Sequence, residues 1–211
     1  MSSPGGCGDP AAGELTAQKA ALRSRLLAAR ARLTREQRRD AARALRDAVL
    51  ALPQAQMAGT IAAYYSIGYE PGTHGLIYAL WKRGSYVLLP VLRPDCDLDW
   101  ASYEGPESLR PGPRGLIEPS APARGPTAVV SADLVIVPAL AVDRRGTRLG
   151  RGAGCYDRAL TRVGGQVPTV ALVYDGEFLE ELPAGAHDQR VRVVARPGEG
   201  TAWLPRLSVT I

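Results

Sequence analysis

Three glycines and two arginines alternate along Arg148-Leu-Gly-Arg-Gly-Ala-Gly-Cys-Tyr-Asp157. Glycine lets backbone N–H groups come close to an anion. Arginine adds a permanent charge and paired donors. The run lies between an apolar stretch, Asp133–Pro138, and a helix-like one, Asp157–Val163. A strand, a loop and a helix in that order aim the positive end of the helix dipole at the loop. The chemistry this suits is the holding of a polyphosphate. Neither common phosphate motif is present. GxxxxGK[ST] requires a lysine followed by a hydroxyl residue, whereas this run closes on Tyr156-Asp157, and the spacing-two glycines Gly150, Gly152 and Gly154 do not make GxGxxG.

Further residues could serve a phosphate. Lys19 and Arg23 are four apart, so they share one helix face beside a leucine stripe. They either reach into a cleft or snorkel at the edge of a buried face. Of 26 Lys and Arg residues only Lys19 and Lys82 are lysine, which sets Lys19 apart as a compact ammonium in an arginine-rich chain. Asp157 and Asp188 are oxygen ligands suited to Mg²⁺ beside a phosphate. Read singly, Asp157 is also a helix first-turn acid and Asp188 a turn residue. Glu70 follows a strand end, where it is either an acceptor for substrate amino groups or an ordinary loop carboxylate. Cys155 with His187 as its base is a weaker nucleophile reading, because no strand–Cys–helix elbow surrounds it.

Elements that would position these residues follow from periodicity. Leu15–Leu33 reads as an amphipathic helix, and Thr34 with Gln37 opens a second that Pro53 ends. Gly59–Tyr65, Tyr86–Val91, Leu98–Tyr103, Asp133–Val137, Thr169–Val173 and Arg190–Ala195 read as strands. Thr73 caps a helix that Gly84 stops. Residues 104–127, rich in Pro and Gly, read as a long loop with Ile117-Glu-Pro119 as an anchor over a cleft. Strands alternating with helices predict a single α/β domain: a mostly parallel sheet with helices on both faces and a ligand beyond the strands' carboxyl ends. Residues 1–13 read as a flexible leader before a domain at 14–211.

At 45% hydrophobic content the 211 residues can bury a core, and no apolar run is long enough for a membrane span. The N-terminus lacks the pattern of a signal peptide, and three cysteines form no CxxC, so a reducing, cytoplasmic setting is expected. The net charge of +5 suits a polyanion. Ten basic and two acidic residues between Lys19 and Arg46 would also fit a nucleic-acid-binding module, although leucines interrupt them as in a packed helix.

With these residues in view the chain resembles the 5-formyltetrahydrofolate cyclo-ligase (methenyltetrahydrofolate synthetase) family. The resemblance rests on Lys19-x-x-x-Arg23, Tyr65-Ser66, Glu70-x-x-Thr73, Ile117-Glu-Pro119, the run Asp143–Arg158 and His187-Asp188, in family order over about Lys19 to Val194. It implies a ribose-phosphate-isomerase/CoA-transferase-like fold, ATP as co-substrate, Mg²⁺, and a reduced folate with an N5-formyl group. It implies cyclisation to 5,10-methenyltetrahydrofolate through a phosphorylated formyl group. Carried over residue by residue, it implies ATP contacts from Lys19, Arg23, Arg148, Leu149, Gly150, Arg151, Gly152, Ala153, Gly154, Cys155 and Tyr156. Folate contacts would come from Tyr65, Glu70, Arg151, Gly152, Gly154 and Cys155, and the metal would sit on Asp157 and Asp188. A monomer acting on small molecules, with no nucleic acid and no membrane, is expected. Three positions depart from the pattern: Cys155 replaces the first of two tyrosines, Pro71 a β-branched residue, and Arg192 a frequent Asp that bears on the metal or folate end. A nucleotide- or folate-binding relative without the cyclisation remains the alternative.

Overall fold

The structure is a computed structural model and describes residues 10–185 and 187–205. Among the described residues there are five α-helices: α1 (Pro10–Arg32), α2 (Arg35–Leu50), α3 (Pro53–Met57), α4 (His74–Lys82) and α5 (Cys155–Leu160). The strands are β1 (Thr60–Ala62), β2 (Tyr86–Leu92), β3 (Leu98–Ser102), β4 (Leu109–Pro111), β5 (Ile117–Pro119), β6 (Leu134–Pro138), β7 (Ala141–Asp143), β8 (Arg148–Leu149), β9 (Thr169–Leu172), β10 (Phe178–Leu179), β11 (Val193–Arg196) and β12 (Gly200–Trp203).

Seven strands form one mixed sheet in the order β12-β11-β9-β6-β1-β2-β3. The inner pairs run parallel, and the two edge strands, β3 and β12, run antiparallel to their neighbours. The chain winds outward from β1 in both directions, to β2 on one side and β6 on the other. Between these two strands the order reverses, and a crevice opens beyond their carboxyl ends.

The apolar run of β6 is buried on both faces, as a central parallel strand requires. On one face Leu45 and Val49 of α2 and Leu76, Ile77 and Leu80 of α4 pack against Ile61, Leu89, Ile136 and Leu172. On the other, Val129 of a 3-10 helix and Ala159 and Leu160 of α5 pack against Leu88, Val135 and Ala171. A third cluster seats Leu26 of α1 on Leu140, Ala141, Leu149 and Leu182. Together these make a single α/β domain with flanking helices.

Several boundaries differ from the periodicity. Residues 1–9 of the expected leader lie outside the described residues, and residues 10–13 form the first turn of α1. The capping box at Thr34 is formed: Gln37 N donates to Thr34 Oγ1 at 3.1 Å, and Thr34 N to Gln37 Oε1 at 2.8 Å. Pro53 does not end α2 but opens α3, where its missing N–H costs nothing. Residues 104–127 are not one long loop, since β4 and β5 pair as a hairpin within them.

The turn from β7 to β8 explains half of the Asp143–Arg158 run. The buried Asp143 carboxylate accepts from the amides of Arg145, Thr147 and Leu182 at 2.9, 2.8 and 3.1 Å. Gly146 has φ +81°, and a Cβ there would lie 2.4 Å from the Val191 carbonyl oxygen. Gly146→Ala is therefore expected to destabilise the fold by about 2 kcal/mol or more, read as a lowered urea midpoint at unchanged slope.

Candidate active site

A cleft of about 970 Å³ lies beyond β1, β2 and β6. Every residue singled out for ATP, folate or metal lines it: Lys19, Arg23, Tyr65, Glu70, the whole run from Arg148 to Asp157, and Asp188. Seven cationic side chains and three carboxylates face it, an excess of positive charge that suits a polyanion.

The basic face of α1 supplies one wall. Arg23 Nε donates to the Gly150 carbonyl at 2.9 Å. Its guanidinium lies so close over Gly152 that a Cβ there would meet it at 3.3 Å, and the φ of +105° at Gly152 also requires glycine. Lys19 Nζ is ion-paired with Asp188 Oδ2, which also accepts from the Gly185 amide at 2.7 Å. The pair on α1 thus turns into the cleft rather than snorkelling. Arg30, three turns on from Lys19, follows it inward and is buried. The run of charge on this helix is therefore not one outward-facing surface.

The glycine loop supplies the floor. Gly154, in the left-handed region at φ +69°, is the N-cap of α5. Arg148 differs from the expected open phosphate ligand. Its side chain is 2% exposed and locked, with Nη1 donating to the Pro138 carbonyl at 3.1 Å and Nη2 to Asp157 Oδ1 at 2.8 Å. Its Nε has no hydrogen-bond partner among the described residues. Leu149 differs too: its side chain is buried under α1, so it anchors the loop. Tyr156 packs against both large core clusters, and burial, then the Glu70 charge, push its phenol far up and keep it neutral.

The substrate side is tied to the loop. Arg151 Nε is 3.5 Å from Glu70 Oε1, while Glu70 Oε2 accepts from the Ile67 amide at 2.9 Å. Thr73 does not use its hydroxyl as a helix cap. That hydroxyl donates to the Tyr64 carbonyl at 2.7 Å and accepts from the Ser66 amide at 2.9 Å. Tyr65, between them, stacks on His74 with ring centroids 4.0 Å apart. Opposite lies an apolar wall of Pro90, Leu92, Leu98, Leu116 and Ile117, of a kind that accepts flat rings. The β4–β5 hairpin is pinned there by buried Glu118, whose Oε1 accepts from the Leu92 amide at 2.9 Å.

Asp157 and Asp188 each hold one cation, Arg148 and Lys19, and no group of three or more His, Cys, Asp or Glu able to hold a metal occurs among the described residues. Two carboxylates at the edge of a cationic cleft do not make a closed cage. They do fit Mg²⁺, which takes its remaining oxygens from phosphate and water.

Burial works to raise the Asp188 carboxyl. The hydrogen bonds from Lys19 and Gly185 and the charges of Lys19 and Arg148 outweigh it and hold the group below its ordinary 3.8. A lowered folded value means that the pair is complete above the unfolded pKa and is lost as pH falls through the folded one. Carbon-13 NMR of the Asp188 carboxyl should give a midpoint below 3.8, and Lys19→Ala should raise it.

Cys155 does not act as a prepared thiolate, because burial, then the neighbouring Cys96, push its thiol up. Arg192 is not among the residues lining the cleft; it lies with its guanidinium 5.8 Å from the Trp203 ring. Arg30, Arg114 and Arg158 line the cleft and were not singled out by sequence. Arg30 carried a signal, eleven positions beyond Lys19 on one helix face. Arg114 carried none, since its place depends on the hairpin.

Comparison with known proteins fits this geometry. The sequence model of the 5-formyltetrahydrofolate cyclo-ligase family matches residues 15–197. The chain belongs to the 5-formyltetrahydrofolate cyclo-ligase family. The cyclo-ligase of Mycolicibacterium smegmatis is 42% identical over 150 residues, covering 69% of this chain and 77% of that protein. The cyclo-ligase of Escherichia coli is 32% identical over 154 residues, covering 72% and 85%. The NMR structure of Aquifex aeolicus 5,10-methenyltetrahydrofolate synthetase superposes with a TM-score of 0.77 at 28% identity, covering 90% of this chain and 94% of that one. Among cyclo-ligases the fold is thus shared well beyond close sequence likeness. No helix among the described residues is long and apolar enough to cross a membrane.

Proposed function

We propose that this chain catalyses the ATP-dependent cyclisation of 5-formyltetrahydrofolate to 5,10-methenyltetrahydrofolate, releasing ADP and phosphate. The observation that carries this reading is one cleft with a cationic glycine loop on one side and an apolar wall on the other. An enzyme joining a polyphosphate to a flat, reduced pterin needs both.

The formyl oxygen of an amide is a poor nucleophile, and the carbon it leaves cannot be attacked until that oxygen becomes a good leaving group. Transfer of the γ-phosphoryl of ATP to the formyl oxygen meets the second need. N10 then attacks the formyl carbon, the C–O bond breaks, and phosphate departs. The protein's part is positioning and charge stabilisation. In this reading Lys19, Arg23 and Arg151 hold the phosphate oxygens with the amides between Gly150 and Gly154. Arg148 sets the loop's height and orients Asp157. Glu70 and Tyr65 hold the folate, with Glu70 accepting from its amino groups. Mg²⁺ on Asp157 and Asp188 would neutralise phosphate charge. Lys19 is then released from Asp188 to the nucleotide, so the ion pair keeps the ammonium waiting at the site. A monomer in the cytoplasm, with the ribose-phosphate-isomerase/CoA-transferase-like arrangement of strands, belongs to the same proposal.

Incubating the purified chain with 5-formyltetrahydrofolate and MgATP tests it. The expected result is growth of the methenyl chromophore in the near ultraviolet, with one ADP per product. Tight binding of both ligands without that absorbance would leave a binding protein and overturn the reading.

A further inference from the structure

We propose that Cys96 and Cys155 are a redox-modification site, joined as a reversible disulfide when the protein meets a hydroperoxide. Both are free thiols and half-buried. Cys96 sits in the tight turn from β2 to β3, where its amide donates to the Arg93 carbonyl at 3.0 Å. Cys155 opens α5 at the end of the glycine loop and lines the cleft.

One guanidinium nitrogen holds the two segments together. Arg158 Nη2 donates to the Cys96 carbonyl at 2.6 Å and to the Ala153 carbonyl at 3.1 Å. Cys155 Sγ is 3.9 Å from that same Ala153 oxygen. The next residue of the turn, Asp97, takes a two-pronged bond from Arg162 of the segment after α5, at 2.9 and 2.6 Å. These bonds hold the Cys96 turn against the end of the glycine loop, so bridging calls for a local rearrangement of two strapped segments rather than a domain movement.

The backbone does not call for cysteine at position 96. Its φ of 62° is left-handed, a region that glycine or asparagine fills more readily. Arg114 Nη1 lies 3.7 Å from Cys96 Sγ, a cation beside the sulfur that would attack a peroxide oxygen. Cys96 is oxidised to the sulfenic acid as one molecule of peroxide is reduced to water. Cys155 sulfur then attacks that sulfur, the S–S bond forms, and the hydroxyl leaves as a second water. Both thiol hydrogens are consumed, so two thiols and one peroxide give one disulfide and two waters.

The bond would fasten the end of the glycine loop to an edge hairpin and draw the Cys155 side chain out of the cleft. Loss of turnover, restored by dithiothreitol, is the expected consequence. The experiment treats the full chain with hydrogen peroxide, alkylates free thiols and maps peptides by mass, a readout independent of the reaction assigned above. A Cys96–Cys155 linked peptide, abolished by dithiothreitol, is expected alongside the loss of turnover. Cys96→Ser should match the untreated protein in turnover and keep it after peroxide. Recovery of both residues as alkylated thiols, or linkage of either to Cys7 instead, would overturn the site. A Cys96–Cys155 linkage with unchanged turnover would overturn its control of the cleft.

Discussion

Replacing Lys19 with alanine is expected to lower kcat/KM for ATP on the order of 10²- to 10³-fold, the scale seen when one preorganised donor to a developing charge is removed. Most of the loss should fall on turnover. In the proposed arrangement the ammonium meets the transferred phosphoryl, while binding retains Arg23, Arg151 and the loop amides. The fold should survive, because Lys19 is part-exposed and its partner Asp188 keeps the Gly185 amide at 2.7 Å. Lys19→Arg separates charge from shape. A planar fork is longer than an ammonium and offers its donors in fixed directions. It should recover the Michaelis constant better than it recovers turnover. Steady-state kinetics at saturating folate, with circular dichroism to establish folding, give both numbers.

The second large effect is expected at a residue to which no contact with the substrates is assigned. Arg30 is 2% exposed and grips Glu177 with both prongs, Nε to Oε1 at 2.7 Å and Nη2 to Oε2 at 2.8 Å. It also donates to the Ala139 carbonyl at 2.6 Å, just past β6. Burial alone would lower the guanidinium's proton affinity, yet the hydrogen bond and charge of Glu177 more than offset it. Glu177 in turn accepts from the Tyr174 amide at 2.8 Å, and the Tyr174 ring lies 5.5 Å from the guanidinium. This is the bolt that holds α1 to the sheet. Arg30→Leu leaves a buried carboxylate unpaired and should cost about 3–5 kcal/mol in urea unfolding. The paired change Arg30→Leu with Glu177→Leu should recover much of that stability. It should not recover ATP affinity, because the helix carrying Lys19 and Arg23 would no longer be fixed at its far end. A double variant with wild-type stability and a wild-type Michaelis constant would show that the bolt serves the fold alone.

The parts of this molecule that sequence discloses are those whose cause is local. Thr34 and Gln37 specify a capping box by type and spacing, and both of its bonds are formed. The buried strand β6 announces itself by an unbroken apolar run. The spacing of Lys19 and Arg23 put both on one helix face, and the glycines at 152 and 154 occupy the left-handed region. What sequence concealed depends on distant partners. The strand β8 is two residues long and takes its register only from β7, and β12 exists through pairing with β11. Arg148 looks like a free phosphate ligand until Pro138 and Asp157 are found holding it. Thr73 looks like a cap until its hydroxyl is found bonded to Tyr64 and Ser66. The role of Glu118 requires knowing that Leu92 ends opposite it, 26 residues away.

In the proposed reaction the formyl oxygen of the folate, held against the apolar wall, is the atom that takes the phosphoryl group from the nucleotide on the glycine loop. Isotope tracing tests it most directly. With oxygen-18 in the formyl group of 5-formyltetrahydrofolate, a single turnover should deliver the label to inorganic phosphate, one atom per phosphate, in step with the methenyl absorbance. Unlabelled phosphate, with the oxygen-18 recovered in water, would mean that ATP is hydrolysed without phosphorylating the formyl group, and would contradict the account.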